Sequence, residues 1–164
     1  MRNALAGLAL IALLWPQMAR SDVARSDVAQ QEAVRSDDAG ETAIRAVLAQ
    51  WTRDFNEGRA DRVCDLFSPA LRYDYRGFPE RGFEDICGLL RRSLADRERR
   101  YTYALRIKEV LVSGDLAVVR LVWTLSFRPT GSAKDAVSQE PGLDVFAKQP
   151  DGSWKIVRYL AYEE

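Results

Sequence analysis

The chain has no histidine among its 164 residues. That removes the commonest metal ligand, the usual base of Ser and Cys nucleophiles, and the side chain that titrates most readily near neutral pH. Acid–base chemistry is left to carboxylates, Tyr or Lys, and neither a metal nor a cofactor is expected. Net charge is also lacking: 24 Lys plus Arg balance 24 Asp plus Glu. Without a cationic excess there is little to displace counterions from a phosphate backbone, so nucleic acid is not an expected partner. Cysteine is scarce, with only Cys64 and Cys87. No apolar run reaches the roughly 20 residues that a membrane-spanning helix needs. The longest, Ala4 to Trp15, follows the basic Arg2 and is broken by Pro16, which suits a signal-peptide core. Residues 1–20 are therefore expected to direct export to the periplasm or the extracellular space, with cleavage between positions 18 and 29 and no stable membrane span after processing. A buried N-terminal helix is the alternative for that run.

What is present suffices for one globular unit, since 47% of residues are hydrophobic and 10% aromatic. Residues 21–40 read as a polar linker. Ala19 to Val23 repeats as Ala24 to Val28 and is echoed at Arg35 to Asp37, and so polar a stretch is expected to hold fractional helix at most. Regular patterning starts at Glu41, where Ile44, Val47, Leu48, Trp51 and Phe55 share one helical face and Gly58 supplies a stop. A second short helix is expected through Val63, Leu66 and Phe67, then a strand in which Leu71, Tyr73 and Tyr75 alternate with Arg72, Asp74 and Arg76. Gly82 opens a third helix with apolar positions at Phe83, Ile86, Cys87, Leu90 and Leu94.

The remainder is strand-like. Tyr101 to Val112, a turn at Ser113 to Asp115, and Leu116 to Arg128 form a long hairpin, with Ala117, Val119, Leu121, Trp123, Leu125 and Phe127 on one face. After a loose segment from Pro129 to Pro141, Gly142 to Lys148 and Ser153 to Tyr162 form a second hairpin across Gln149 to Gly152. Helices first and antiparallel strands afterwards make an α+β arrangement, with three N-terminal helices covering one face of a bent sheet.

That order of elements resembles the nuclear-transport-factor-2-like superfamily, in its SnoaL-like and ketosteroid-isomerase-like branches, over residues 41–164. The resemblance is carried by Trp51 to Gly58, Val63 to Phe67, Phe78 to Gly82 and the terminal Asp151 to Val157. It implies a cone-shaped, curved antiparallel sheet wrapped around the helices, a pocket at the open end, and homodimers formed through the outer sheet face. The isomerases of that superfamily use a Tyr and a protonated Asp to stabilise an enolate oxygen, and a second Asp to move the proton. By resemblance the oxyanion Tyr falls at Trp51 and the oxyanion Asp at Asp144; the base falls at Tyr75, or at Asp74 after a slip of one. The set is not intact, because an indole N–H donates without titrating and a Tyr is a poor base near neutral pH.

The catalytic candidates are thus Asp144, Asp74 and Tyr75. Asp144 lies between Leu143 and Val145 in an apolar strand, so its carboxyl is edge-exposed, paired or protonated; a wet strand face and a pocket wall both remain open. Arg72 and Arg76 flank Asp74, and an ion-pair ladder would explain all three. Arg120 and Arg128, opposite Trp123, read as solvated positions, and the basic run from Arg91 to Arg100 as a solvated helix end. Trp51, Phe55, Tyr73, Trp123, Phe127 and Tyr159 are core fillers or, taken together, the lining of a pocket. Export would oxidise Cys64 and Cys87 to a disulfide; two buried thiols are the alternative. The functional expectation is a binder of a small apolar or amphipathic molecule. The alternatives are an isomerase, cyclase or dehydratase using Asp144 with Asp74 or Tyr75, and a structural homodimeric module.

Overall fold

A computed structural model of the chain describes residues 19–128, 131 and 134–163, so nearly all of the expected signal segment lies outside the described residues. The first element, α1, runs from Ala19 to Asn56. Its C-terminal half is amphipathic as expected, with Ile44, Leu48, Trp51 and Phe55 buried, and Gly58 (φ 76°) takes the left-handed position that turns the chain out of the helix. The N-terminal half corrects the expectation for residues 19–40, which are helical. They hold five Ala and three Arg, have no Pro, and meet no Gly before Gly40, so nothing in the segment breaks a helix. Val28 and Val34 are more than half exposed there. Gly40 marks the point where the helix meets the sheet: a Cβ would stand 2.9 Å from Val112 Cγ1 and 3.3 Å from Trp154 Cζ2.

The second expected helix does not form, and the described residues contain two α-helices rather than three. Residues 60–66 run as successive turns, with Arg62 N donating to Arg59 O at 2.9 Å and Asp65 N to Arg62 O at 3.0 Å. Val63, Cys64, Leu66 and Phe67 are nonetheless buried. Between Gly58 and the strand that starts at Phe67 there is too little chain for a helical nucleus to repay its cost. Trp51 Nε1 donates to Val63 O at 2.7 Å and fastens the turns to α1.

The other elements are β1 (Phe67–Tyr75), β2 (Arg81–Gly82), α2 (Phe83–Ala95), β3 (Arg100–Ser113), β4 (Leu116–Arg128), β5 (Ala136–Lys148) and β6 (Trp154–Ala161). They form one six-stranded sheet in the order β2-β1-β6-β5-β4-β3. Neighbours are antiparallel except β1 and β6, which are parallel. Register shifts between Ile107 and Glu109 in β3 and between Val145 and Phe146 in β5 are the kind of irregularity that bends and twists strands into a curved sheet. β5 begins at Ala136, ahead of the expected Gly142. Pro141 is accommodated because its carbonyl accepts from Tyr162 N at the very end of the β5–β6 ladder. Its missing N–H faces that same margin and costs no bond to β4.

The helices cover the concave face, α1 against β3 and β6 and α2 against β1. Asp85 Oδ2 accepts from Gly82 N at 2.8 Å and starts α2. A Cys64–Cys87 disulfide, with Cα atoms 5.5 Å apart, ties the turn segment to α2. Ile44, Leu48, Leu71, Val119 and Phe146 are wholly inaccessible. The convex face leaves Leu111, Leu116, Leu143 and Leu160 exposed.

Candidate functional site

The two helices do not fill the concave face. Between them and the strands lies an open cavity of about 530 Å³, within the usual size of a small-molecule site. Its lining grades from exposed Phe78, Leu89 and Glu163 at the rim to buried Tyr73, Leu121, Asp144 and Ile156 at the bottom.

One wall is aromatic. The Trp51 ring centroid is 5.0 Å from that of Trp123 and 5.5 Å from those of Phe55 and Tyr103; Tyr103 in turn is 4.8 Å from Phe55. Helical spacing puts Trp51 and Phe55 on one side of α1, and strand alternation turns Tyr103 of β3 and Trp123 of β4 toward them. Asn56 holds the two layers together: its Nδ2 donates to Tyr103 O and its Oδ1 accepts from Tyr103 N, both at 2.8 Å. The indole N–H of Trp51 is already committed to Val63, so this residue offers a ligand only its ring.

The polar wall comes from β5, whose period of two sets Glu140, Gly142 and Asp144 on the inner face. Asp144 stands in register between Val119 and Tyr159. It is 4% exposed, and among the described residues nothing hydrogen-bonds to or pairs with its carboxyl. Burial alone pushes that carboxyl up to about 7. Glu140, half-buried, is pushed up to about 6, by desolvation first and then by the nearby Glu163 charge. Tyr159 stacks on Tyr73 with centroids 4.3 Å apart and shares a side-chain hydrogen bond with it. Burial raises the phenol of Tyr159, with Tyr73, Asp144 and Glu140 adding to the shift. Tyr103 is raised by burial, then by Glu140 and Tyr75; Tyr75 is pushed to about 12 by burial, then by Glu140 and Glu163. At neutral pH these raised phenols are uncharged donors, whereas the two carboxyls can each be found with or without a proton.

Of the residues singled out from sequence, Asp144, Tyr75, Trp51, Phe55, Tyr73, Trp123 and Tyr159 all line this cavity. Phe127 does not; it packs on Tyr101 at 5.6 Å. Asp74 is exposed and borders a shallow depression with Arg76 and Leu160 instead, because neighbours on a strand point to opposite faces. The expected Arg72–Asp74–Arg76 ladder is replaced by Arg72 Nε at 3.7 Å from Glu80. Arg120 and Arg128 are exposed, paired with Glu109 and Asp135. Glu140, Tyr103 and Arg81 also line the cavity and were not singled out. For Glu140 the signal was there: extending the inner-face alternation of Asp144 and Phe146 backwards through Gly142 reaches it.

A curved, unclosed sheet folded over N-terminal helices, with a lined cavity inside, defines the nuclear-transport-factor-2-like cone fold. Within it, residues 48–159 match the SnoaL-like domain, and the chain belongs to that family. Among solved structures, a conserved protein from Planctomyces limnophilus DSM 3776 is similar with a TM-score of 0.70 at 16% identity, over 77% of this chain and 98% of that one. A ketosteroid isomerase-like protein from Erwinia carotovora atroseptica SCRI1043 is similar with a TM-score of 0.59 at 21% identity, over 74% and 94%. An NTF2-like protein with a cystatin-like fold from Novosphingobium aromaticivorans gives a TM-score of 0.60 at 20% identity, over 90% and 91%. At such identities the likeness is one of fold. Comparison with curated proteins finds no match.

Proposed function

We propose that this is an exported SnoaL-like domain that holds a small apolar or amphipathic molecule in its cone, with Asp144 as the polar anchor. The observation that carries the reading is a carboxyl on the wall of an open, largely apolar cavity with no hydrogen-bond or ion-pair partner among the described residues. Leaving such a group unsatisfied costs stability, and a ligand removes that cost. Protonated, the carboxyl donates to a ligand oxygen; ionised, it accepts from a ligand N–H or O–H. Trp51, Phe55, Tyr73, Trp123 and Tyr159 contact the apolar body. Export is supported by the apolar run near the N-terminus and by the disulfide. Exposed Leu111, Leu116, Leu143 and Leu160 on the convex face support a homodimer through that face. The test is native mass spectrometry of protein from its own compartment, followed by affinity measurements on two variants. Asp144→Asn should retain part of the binding and Asp144→Leu should lose the polar anchoring. Undiminished binding by Asp144→Leu would refute the anchor.

A second reading, an isomerase, cyclase or dehydratase, is favoured by one observation: Asp144 and Glu140 are raised to about 7 and about 6, near the pH at which proton transfer by carboxyls is efficient. In it Asp144 works with Tyr75; Asp74 is too far outside the cavity to take part. Turnover of a bound molecule, lost in Asp144→Asn while binding persists, would distinguish enzyme from carrier.

A further inference from the structure

The cavity is short of positive charge. Asp144, Glu140 and Glu163 line it, and among the described residues Arg81 is the only Lys or Arg that does so. The Arg81 guanidinium lies over the Phe78 ring, 4.2 Å from its centroid, and Phe78 is 53% exposed; that cation belongs to the rim. Deeper in, among the described residues no hydrogen bond or ion pair engages the Asp144 carboxyl, although the residue is almost fully buried. Electron-rich rings of Trp51, Trp123 and Tyr103 share the same space, and such rings attract cations over their faces. A carboxylate ligand would add a negative charge beside Asp144 and Glu140, with only Arg81 at the rim to offset it. A neutral ligand would leave whichever carboxyl is ionised unpaired. A ligand carrying one positive charge satisfies the carboxyls and uses the rings.

Gly142 shapes the space between the two acids, because it puts no side chain on the inner face between Glu140 and Asp144. Four residues of strand separate the acids by about 13 Å of backbone, at roughly 3.3 Å per residue. A compact ring system therefore fits with its charge at either carboxyl.

We infer that the cavity takes an apolar amine, bound as its ammonium against Asp144 or Glu140 with its apolar body against the aromatic wall. This rests on the reading of the cavity as a binding site and names the chemistry of what it binds. The groups facing Asp144 are Tyr159 of β6 and Tyr73 of β1. Those around Glu140 are Tyr75 of β1, Tyr103 of β3 and Glu163 beyond β6, with Arg81 of β2 at the rim. Tyr75, Tyr103 and Tyr159 stay neutral below pH 8, so between pH 5 and pH 8 the two raised carboxyls dominate the titration.

Three probes that share one body decide the matter: 2-naphthylmethylamine, 2-naphthylmethanol and 2-naphthoate, titrated calorimetrically into the purified protein at pH 5 and pH 8. The amine is expected to bind at least tenfold more tightly than the alcohol at pH 8, with the carboxylate weakest. Its affinity should fall toward pH 5, by up to about tenfold per pH unit for each proton taken up, while the alcohol's does not fall. In the Asp144→Asn/Glu140→Gln double variant the amine's advantage should shrink to near parity; the pH dependence in the wild-type protein carries the test should that variant fail to fold. Equal affinities for amine and alcohol at pH 8, or an amine affinity indifferent to pH, would overturn the amine assignment and leave the binding reading standing. Binding by none of the three up to millimolar concentration would overturn both.

Discussion

Raising the pH from 5 to 8 is expected to destabilise the protein, and Asp144→Asn to abolish most of that loss. In the folded chain Asp144 titrates at about 7, against an ordinary 3.8. Between those values the folded state keeps a proton that the unfolded state has released. Unfolding then releases the proton, and stability falls with rising pH at about 1.4 kcal/mol per unit. The contribution is complete below 3.8 and is lost as the pH climbs through 7, above which both states are ionised. From pH 5 to pH 8 the loss is about 3 kcal/mol. This is an upper value, because water entering the open cavity eases the desolvation. Glu140, raised from 4.5 to about 6, acts in the same direction and more weakly, since it is only half-buried. Asp144→Asn keeps the volume of the side chain and removes its titration. Any constant cost of the amide cancels in the comparison of slopes. The assay is urea unfolding of the oxidised wild type and variant at pH 5, 6, 7 and 8. The variant should gain on the wild type by up to about 3 kcal/mol over that range. Parallel curves, within about 0.5 kcal/mol, would refute the desolvated placement of the carboxyl.

Three further outcomes are expected. Opening the Cys64–Cys87 bridge, which closes a separation of 23 residues, should cost about 3 kcal/mol; an unfolding midpoint unmoved by reductant that demonstrably frees both thiols would contradict it. Trp51→Phe leaves the Val63 carbonyl without its 2.7 Å partner and should lower stability by about 1–3 kcal/mol, measured by denaturation; a neutral change would mean that the turns are held on α1 by something else. Gly40→Val sets a branched side chain against Val112 and Trp154, where a bare Cβ already falls 2.9 Å from Val112. It should cost about 1–3 kcal/mol, and an unchanged thermal midpoint would show that α1 does not approach the sheet there.

Periodicity revealed most of the elements that bury one face. Ala117, Val119, Leu121, Trp123, Leu125 and Phe127 recur at every second position because the inner face of β4 meets α1's aromatics, and Ile44 to Phe55 keep helical spacing for the complementary reason. It failed where burial and local structure part company. Val63, Leu66 and Phe67 are buried without a helix because the chain between Gly58 and β1 is short. Residues 30–36 are helical and exposed, so no apolar stripe announces them. Pro129 and Pro141 hid the first half of β5, and Glu140 with it, because the end of the β5–β6 ladder tolerates a residue without an N–H. Nor could alternation assign Asp144 to a face, since Leu143 and Val145 make the outer face as apolar as the inner one. The resemblance to cone-fold isomerases pointed it inward. The same resemblance left the base undecided between Tyr75 and Asp74, and the geometry brings Tyr75 to the cavity and leaves Asp74 in solvent.

The central claim, that the cone is a ligand site walled by α1 and β4, is tested most directly by the indole N–H resonances of the protein during titration with 2-naphthylmethylamine and 2-naphthylmethanol. Trp51 and Trp123 line the cavity, whereas Trp154 is buried in the core but does not. The expected result is saturable movement of the Trp51 and Trp123 signals with at least one probe, while the Trp154 signal stays in place. Signals that do not move with either probe, or a Trp154 signal that moves as far as the other two, would contradict the claim.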